Sequence, residues 1–331
     1  MRNRDNRDQG GAVRRRSDAR AGIYVHVPFC ARQCPYCDFA VSVEPEVPHE
    51  AYADALLAEF DDRADALVGR DVRTIYFGGG TPSMWSIEAF ERVLEHILAH
   101  VDAERVAEVT LEANPLDITV ESLRRWRAAG VGRLSIGVQS FQPETLEVLN
   151  RNHSASEARA AVELALEHGP ALVSMDMMFG VPGQDEQAWR RDLDVVAELD
   201  GLAHVSGYNL TIEPGTAFYR RHERGRLELP PDDTSAQMLD ALVERCQEIG
   251  LERYEVSNFA RSGARSRHNT SYWIGAEYLG IGMGAHSLRI DSTGVHRTEN
   301  SRVRTDYSQN PCEPAGVETL SAEQHFVERL F

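Results

Sequence analysis

The chain has 331 residues, 42% hydrophobic and 26% charged, with a formal net charge of −17. Such a length buries a sizeable core, as one large domain or a domain with an appendage. The acidic balance excludes a general nucleic-acid binder, which needs a basic face for phosphates, and no eighteen-residue apolar run is present to span a membrane as a helix.

Taken in chain order, residues 1–21 come first. Met1 to Arg20 is rich in Arg, Asp, Asn and Gly, which predicts a disordered tail. No hydrophobic stretch follows Arg14-Arg15-Arg16 before the first strand, so no export signal is read there and a cytoplasmic location is expected. Across residues 22–230, short apolar runs predict strands at Ile23–Val27, Thr74–Phe77, Glu108–Glu112, Arg133–Val138, Leu172–Met178 and Val205–Leu210. Amphipathic stretches between them predict helices at Tyr52–Asp65, Ile87–His100, Leu123–Ala129, Ser156–His168 and Gln187–Leu199. This alternation means βαβ units and a parallel sheet. Six units are too few for a closed eight-fold barrel, so the expected fold is α/β, a partial (β/α)6 TIM-like barrel.

Residues 231–331 read as a C-terminal α/β extension. Ser235–Ile249 predicts a helix and Tyr254–Val256 a strand. An Arg-bearing polar loop, Ala260–Thr270, then leads into a glycine-rich segment, Trp273–His286. The sequence stops inside a helical pattern at Ala322–Phe331, which reads as the start of a helical domain and a truncated C-terminus.

The unusual residues fall at the C-terminal ends of the predicted strands: Pro28–Cys37, Gly78–Pro82, Glu112–Pro115, Gln139–Phe141, Asp176 and Asn209. In parallel α/β folds the loops at that end carry the chemistry, so one mouth of the barrel is the expected site.

Three of the five cysteines, Cys30, Cys34 and Cys37, are spaced C-x₃-C-x₂-C in the first of these loops. An iron–sulfur cubane takes thiolate ligands and normally four of them. Three thiolates hold three iron corners and leave the fourth open, where S-adenosylmethionine (SAM) can chelate through its amino and carboxylate groups. The alternative is a structural zinc site completed by His26, Cys246 or Cys312. Zinc sites usually pair two cysteine knuckles, and no second C-x₂-C exists here.

With the cysteine loop and Gly78-Gly79-Gly80-Thr81-Pro82 together, the sequence resembles the radical SAM superfamily. Within it, the chain is similar to the family of oxygen-independent coproporphyrinogen III dehydrogenase and its relatives, the heme chaperones (HemW). Tyr24-Val-His-Val-Pro-Phe-Cys30, Gly137-Val-Gln-Ser-Phe141, Asn150-Arg151, Asp176 and His268-Asn-Thr-Ser-Tyr-Trp273 carry that resemblance, which runs from about Gly22 to the end. It implies SAM contacts at Tyr24, Tyr36, Gly79, Gly80, Thr81, Glu112, Gln139, Arg151 and Asp176. The glycine run would offer backbone N–H groups to the methionyl carboxylate, and Glu112 and Asp176 would accept from its amino and hydroxyl groups. Alternatively these carboxylates pair with Arg151 or Arg133, and Tyr24 and Tyr36 are ordinary packing.

Three features bear on the branch. Phe39 stands where the dehydrogenases typically carry another cysteine, only a polar tail precedes Gly22, and His268–Trp273 looks like the HNxxYW motif associated with heme in the chaperones. The resemblance therefore implies a heme chaperone, with His268 as an axial ligand, Arg261, Arg265 and Arg267 for propionates, and Tyr272 and Trp273 stacking on the macrocycle. It also implies heme-acceptor proteins as partners, respiratory enzymes among them, and a homodimer. The competing expectation is a coproporphyrinogen III dehydrogenase that forms protoporphyrinogen IX by radical decarboxylation. His153, His204 and His286 are expected to be structural or solvent-facing, Cys246 a core residue, and Met175, Met177 and Met178 core and barrel lining.

Overall fold

The computed structural model describes residues 20–292, 294–321 and 323–324. The predicted tail up to residue 19, and nearly all of the helix expected at Ala322–Phe331, lie outside the described residues. In order, the elements are β1 (Arg20–Val27), α1 (His49–Arg63), β2 (Asp71–Gly79), α2 (Ile87–His100), β3 (Glu108–Ala113), α3 (Val120–Ala129) and β4 (Arg133–Gln139). Next come α4 (Pro143–Val148), α5 (Ala155–His168), β5 (Leu172–Phe179), α6 (Glu186–Glu198), β6 (His204–Asn209), α7 (Ala217–His222) and α8 (Asp232–Glu248). The extension supplies β7 (Glu252–Arg253), β8 (Asn258–Ala260), α9 (Arg267–Trp273), β9 (Glu277–Ile281), β10 (His286–Ile290), β11 (Val295–Glu299), α10 (Arg304–Gln309) and β12 (Gly316–Leu320).

Strands β1 to β6 pair in parallel with their sequence neighbours, as the alternation predicted. They are the middle of one open sheet of order β12-β11-β10-β9-β1-β2-β3-β4-β5-β6-β8-β7. The extension adds strands to both edges of that sheet, and β9 pairs in parallel with β1. Two local readings differ. Tyr254–Val256 is the turn between β7 and β8, closed by Ser257 N–H donating to Glu255 Oε1 at 2.7 Å, and the HNxxYW residues form the short helix α9 rather than a loop.

The strands alternate strictly. On β4, Leu134, Ile136 and Val138 are fully buried, while Arg133, Ser135, Gly137 and Gln139 line an interior cavity. On β5, Val173, Met175 and Met177 enter the apolar core, and Ser174, Asp176 and Met178 line the cavity. The apolar face is covered by the helices. Helix α2 is an example, starting where the Ser86 hydroxyl accepts from Ala89 N–H and burying Phe90, Val93, Leu94 and Ile97 at helical spacing. Burying each such side chain contributes roughly 1.5–3 kcal/mol. The opposite, polar face stays hollow. Among the described residues no helix is long and apolar enough to cross a membrane.

Candidate functional site

The cysteine loop leaves β1 at Val27 and is pinned at its root. Phe29 is fully buried against Tyr52 with ring centroids 5.1 Å apart. Cys30 N–H donates to Ser42 O at 3.0 Å, and Ser42 N–H donates to Pro28 O at 2.8 Å. A turn follows in which Cys37 N–H donates to Cys34 O at 3.2 Å. All three thiols are half-buried at the mouth of a cavity of about 450 Å³. The Thr81 hydroxyl donates to Cys30 Sγ at 3.5 Å, and Arg151 Nη1 donates to Cys34 Sγ at 3.6 Å. Burial pushes the Cys30 thiol up and that of Cys37 up to about 11, so ionising them calls for a cationic partner.

The glycine run lies against this loop. A Cβ on Gly80 would sit 2.5 Å from Pro28 O, and one on Gly79, whose φ is +111°, would sit 2.4 Å from the His26 ring. The expectation of free N–H donors here is not met in this conformation. Gly80 N–H donates to Val27 O (2.9 Å), Thr81 N–H to Phe29 O (2.8 Å) and Gly79 N–H to Glu112 Oε2 (3.0 Å). The glycines are there so that two backbones can touch.

Further into the barrel stand Glu112 and Asp176. Tyr76 donates its hydroxyl proton to Glu112 Oε1 at 2.6 Å. Burial pushes Glu112 up to about 7, with the nearby Asp176 charge adding to it and the Tyr76 bond opposing it. Burial likewise pushes Asp176 up to about 6 against hydrogen bonds from Ser206 and Ser135. Neither carboxylate pairs with an arginine as the alternative reading had it. Arg151 donates from Nη2 to Gly137 O at 2.8 Å, and its buried Nε has no partner, a donor left for a ligand. Gln139, at φ +69°, and Tyr36, packed on Phe218 at 6.3 Å, complete the mouth.

The far end of the same cavity is closed by the segment leading into α9, with Ser266 and Asn269 in the wall. Arg133 makes a buried ion pair with Glu108 at 3.0 Å, and its Nη2 donates to the carbonyls of Ala264 and Arg265 at 2.7 and 3.1 Å. Glu108 Oε1 accepts from the N–H groups of Arg267 and His268 at 2.9 and 3.1 Å. One arginine and one glutamate thus clasp both kinds of backbone group in this segment.

Two expected site residues are not on the cavity wall. The Tyr24 hydroxyl is bonded to His26 Nδ1 at 3.0 Å, and the tyrosine that reaches the carboxylates is Tyr76. His268 is the second. It is 1% exposed, with Nδ1 bonded to Thr74 Oγ1 and Nε2 to the Tyr272 hydroxyl, each at 2.8 Å, and its ring stacked on Tyr76 at 4.9 Å. Burial pushes it down to about 3, which keeps it neutral. Both nitrogens are occupied, so no axial ligand is presented. Trp273, by contrast, is 68% exposed, with Tyr272 and Ile274 beside it on the surface.

The proposed zinc partners are not at the mouth either. His26 has both nitrogens engaged, Nε2 with Ala40 O at 2.7 Å. Cys246 is buried within α8, and Cys312 donates to Ala58 O on α1.

Sequence reasoning missed Tyr76, Ser135, Ser206 and the Arg133–Glu108 clasp. Period two along β2 to β6 was the available signal, since every polar residue in phase with Glu112 or Asp176 had to face inward.

Residues 24–196 match the radical SAM superfamily. The chain is 37% identical over 264 residues to the heme chaperone HemW of Bacillus subtilis (strain 168), covering 80% of this chain and 69% of that one. It is 39% identical over 289 residues to HemW of Escherichia coli (strain K12), covering 87% and 75%. The chain belongs to the HemW family of the radical SAM superfamily. Its fold is that of Escherichia coli coproporphyrinogen III oxidase (HemN), a radical SAM enzyme, at a TM-score of 0.80 and 24% identity over 96% of this chain and 76% of that one. Superfamily membership brings a [4Fe–4S] cluster and SAM as cofactors, and the cysteine loop is where HemW-family residues would hold them.

Proposed function

We propose that this protein is a cytoplasmic heme chaperone that carries a SAM-binding [4Fe–4S] cluster, takes up heme and passes it to acceptor proteins. The observation that carries the reading is the 37–39% identity to heme chaperones across 80–87% of the chain. Phe39, 62% exposed at the cavity mouth in place of a further cysteine, supports it against the porphyrinogen-oxidising alternative.

The residues fit the cofactors. Cys30, Cys34 and Cys37 supply three soft donors with no fourth cysteine lining the cavity, which suits a cubane with one open iron corner. When bound, the cluster supplies an electron to SAM or holds SAM as a structural signal. Arg151 sets a positive charge beside Cys34, and its unpaired Nε is available to a carboxylate or ribose oxygen. Glu112 and Asp176 accept from the ligand's amino and hydroxyl groups, and Gln139 offers both donor and acceptor. Tyr36 gives adenine an aromatic face. Gly79 N–H becomes a donor for SAM once Glu112 turns from it to the amino group.

Heme is the cargo. Exposed Tyr272 and Trp273 provide flat apolar faces, and exposed Arg265 and Arg267 lie nearby in sequence for propionates. His268 becomes a ligand only when α9 turns outward and gives up its bonds to Thr74 and Tyr272. Dimerisation and recruitment to respiratory enzymes belong to this reading.

The test is an anaerobic assay of the reconstituted protein with reductant, SAM and coproporphyrinogen III, with hemin titrated in parallel into wild type, His268→Ala and Thr74→Val. The expected outcome is no protoporphyrinogen IX, a Soret band that weakens in His268→Ala, and tighter hemin binding in Thr74→Val, whose histidine is released more easily. Sustained turnover would overturn the chaperone reading. A Soret band indifferent to both substitutions would move the heme ligand away from α9.

A further inference from the structure

Helices α1 and α2 run side by side on the outer layer, far from the cavity wall. Arg92 on α2 reaches Glu50 and Asp54 near the start of α1, and His96 reaches Asp61 near its end, so the two helices are parallel. In their last turns one ligand atom from each of Asp61, His96 and His100 lies within 4.8 Å of the other two. We infer that these three side chains form a binding site for a divalent transition-metal ion of the zinc class, separate from the cysteine loop.

Four observations carry this. First, the histidines stand at i and i+4 on one helix face, with ring centroids 4.5 Å apart, the spacing that lets two imidazoles share one ion. Second, His100 Nδ1 donates to His96 O at 2.8 Å, which fixes the tautomer with the lone pair on Nε2. Metal-bound histidines are oriented by this kind of outer hydrogen bond. Third, Phe60 packs its ring edge-on against both imidazoles, at 5.8 and 5.6 Å, and holds them in place. Fourth, the two histidines lie at the C-terminal end of α2, whose partial negative charge favours a cation.

The simpler account is a plain hydrogen bond between His96 Nε2 and Asp61 Oδ1, at 2.6 Å. It explains Asp61 and His96 but leaves His100 Nε2 without a hydrogen-bond partner among the described residues. No arginine competes for Asp61 among the described pairs: Arg92 is turned to Glu50 and Asp54, and Arg63 to Glu59 and Gly280. Binding would replace the proton between His96 and Asp61 with the ion. Two imidazoles and a carboxylate leave coordination positions for water or for a side chain of another molecule.

The experiment uses chelator-washed protein with its cluster assembled, so that the loop cysteines are already occupied. Zinc chloride is titrated by calorimetry, and cobalt chloride by visible absorption, in wild type, His96→Ala, His100→Ala and Asp61→Asn. One equivalent is expected to bind wild type, with weak cobalt bands lacking thiolate charge transfer. Affinity is expected to fall at least about tenfold in each histidine variant and less in Asp61→Asn. Far-UV dichroism should stay unchanged, because the substituted side chains lie at the surface. Equal affinity in His100→Ala, absence of binding to wild type, or thiolate-type cobalt bands would each overturn the assignment.

Discussion

The two ends of the barrel use the same kinds of residue to opposite effect. At the cysteine end, groups are left open to a ligand: Arg151 Nε has no partner, two buried carboxylates titrate near about 6 and about 7, and three thiols face a cavity. At the α9 end nearly every group is answered. Glu108, Arg133, Thr74 and His268 spend their hydrogen bonds on one another and on the backbone between Ala264 and His268. A histidine among arginines looks in sequence like a ligand on offer. What separates a waiting site from a closed one is whether the bonds are already made, and composition does not show that.

The contrast can be broken from either side. The largest effect is expected at the open end, where Cys34→Ala should abolish stable cluster assembly, read as loss of bound iron and of the broad visible absorbance after reconstitution. Retention of a full cluster would mean that the loop is not its anchor. Next comes the closed end. Glu108→Gln strands the buried Arg133 charge, and such a loss costs about 3–5 kcal/mol of stability. Urea denaturation measures it, and faster hydrogen exchange at residues 264–273 should accompany it. A drop within about 0.5 kcal/mol, the range of an ordinary surface change, would show that the clasp is slack.

The smallest effect is a pH dependence. Asp176 and Glu112, pushed up to about 6 and about 7, are protonated below those values and ionised above them. A carboxylate accepts more strongly from the SAM amino group when ionised, so affinity should climb between pH 5.5 and 8 by up to about tenfold per unit for each proton released. Linkage runs the other way for the ligand-free protein. Its native state holds these protons more tightly than the unfolded chain does, so it should lose stability as pH rises from about 4, the unfolded carboxylate range, to about 7. Isothermal titration at three pH values, with Glu112→Gln as control, decides the point, and a flat profile would remove Glu112 and Asp176 from the amino group.

The fold was legible because its grammar is local. Each predicted strand from 23 to 210 and each predicted helix from 52 to 249 is present within a few residues of its expected bounds, and Cys30, Cys34, Cys37, Glu112, Arg151 and Asp176 do converge. The rest depended on pairing and on direction, which local patterns do not encode. Nothing in Glu277–Ile281 says that it lies beside β1. Nothing in His268-Asn-Thr-Ser-Tyr-Trp273 says that the histidine turns in toward Thr74 and the tryptophan out, because that is decided by a clasp whose two halves lie about 130 and 160 residues earlier. The turn at Tyr254–Val256 was mistaken for a strand because three residues are too few to show a period.

The place of β1 in the sheet also sets a schedule for the protein's birth. Its neighbours are β2, about fifty residues away, and β9, some 250 residues downstream, with Ala21 opposite Glu277. During synthesis the strand that carries the cysteine loop stays an open edge until most of the chain has left the ribosome. Closing so long a loop is among the later steps of folding. The loop is further tied to the extension by Arg302, which donates to Asp38 O, and by Arg304, which reaches Glu44 at 2.6 Å. A cluster delivered before residues through Arg304 have emerged would meet an unfinished frame.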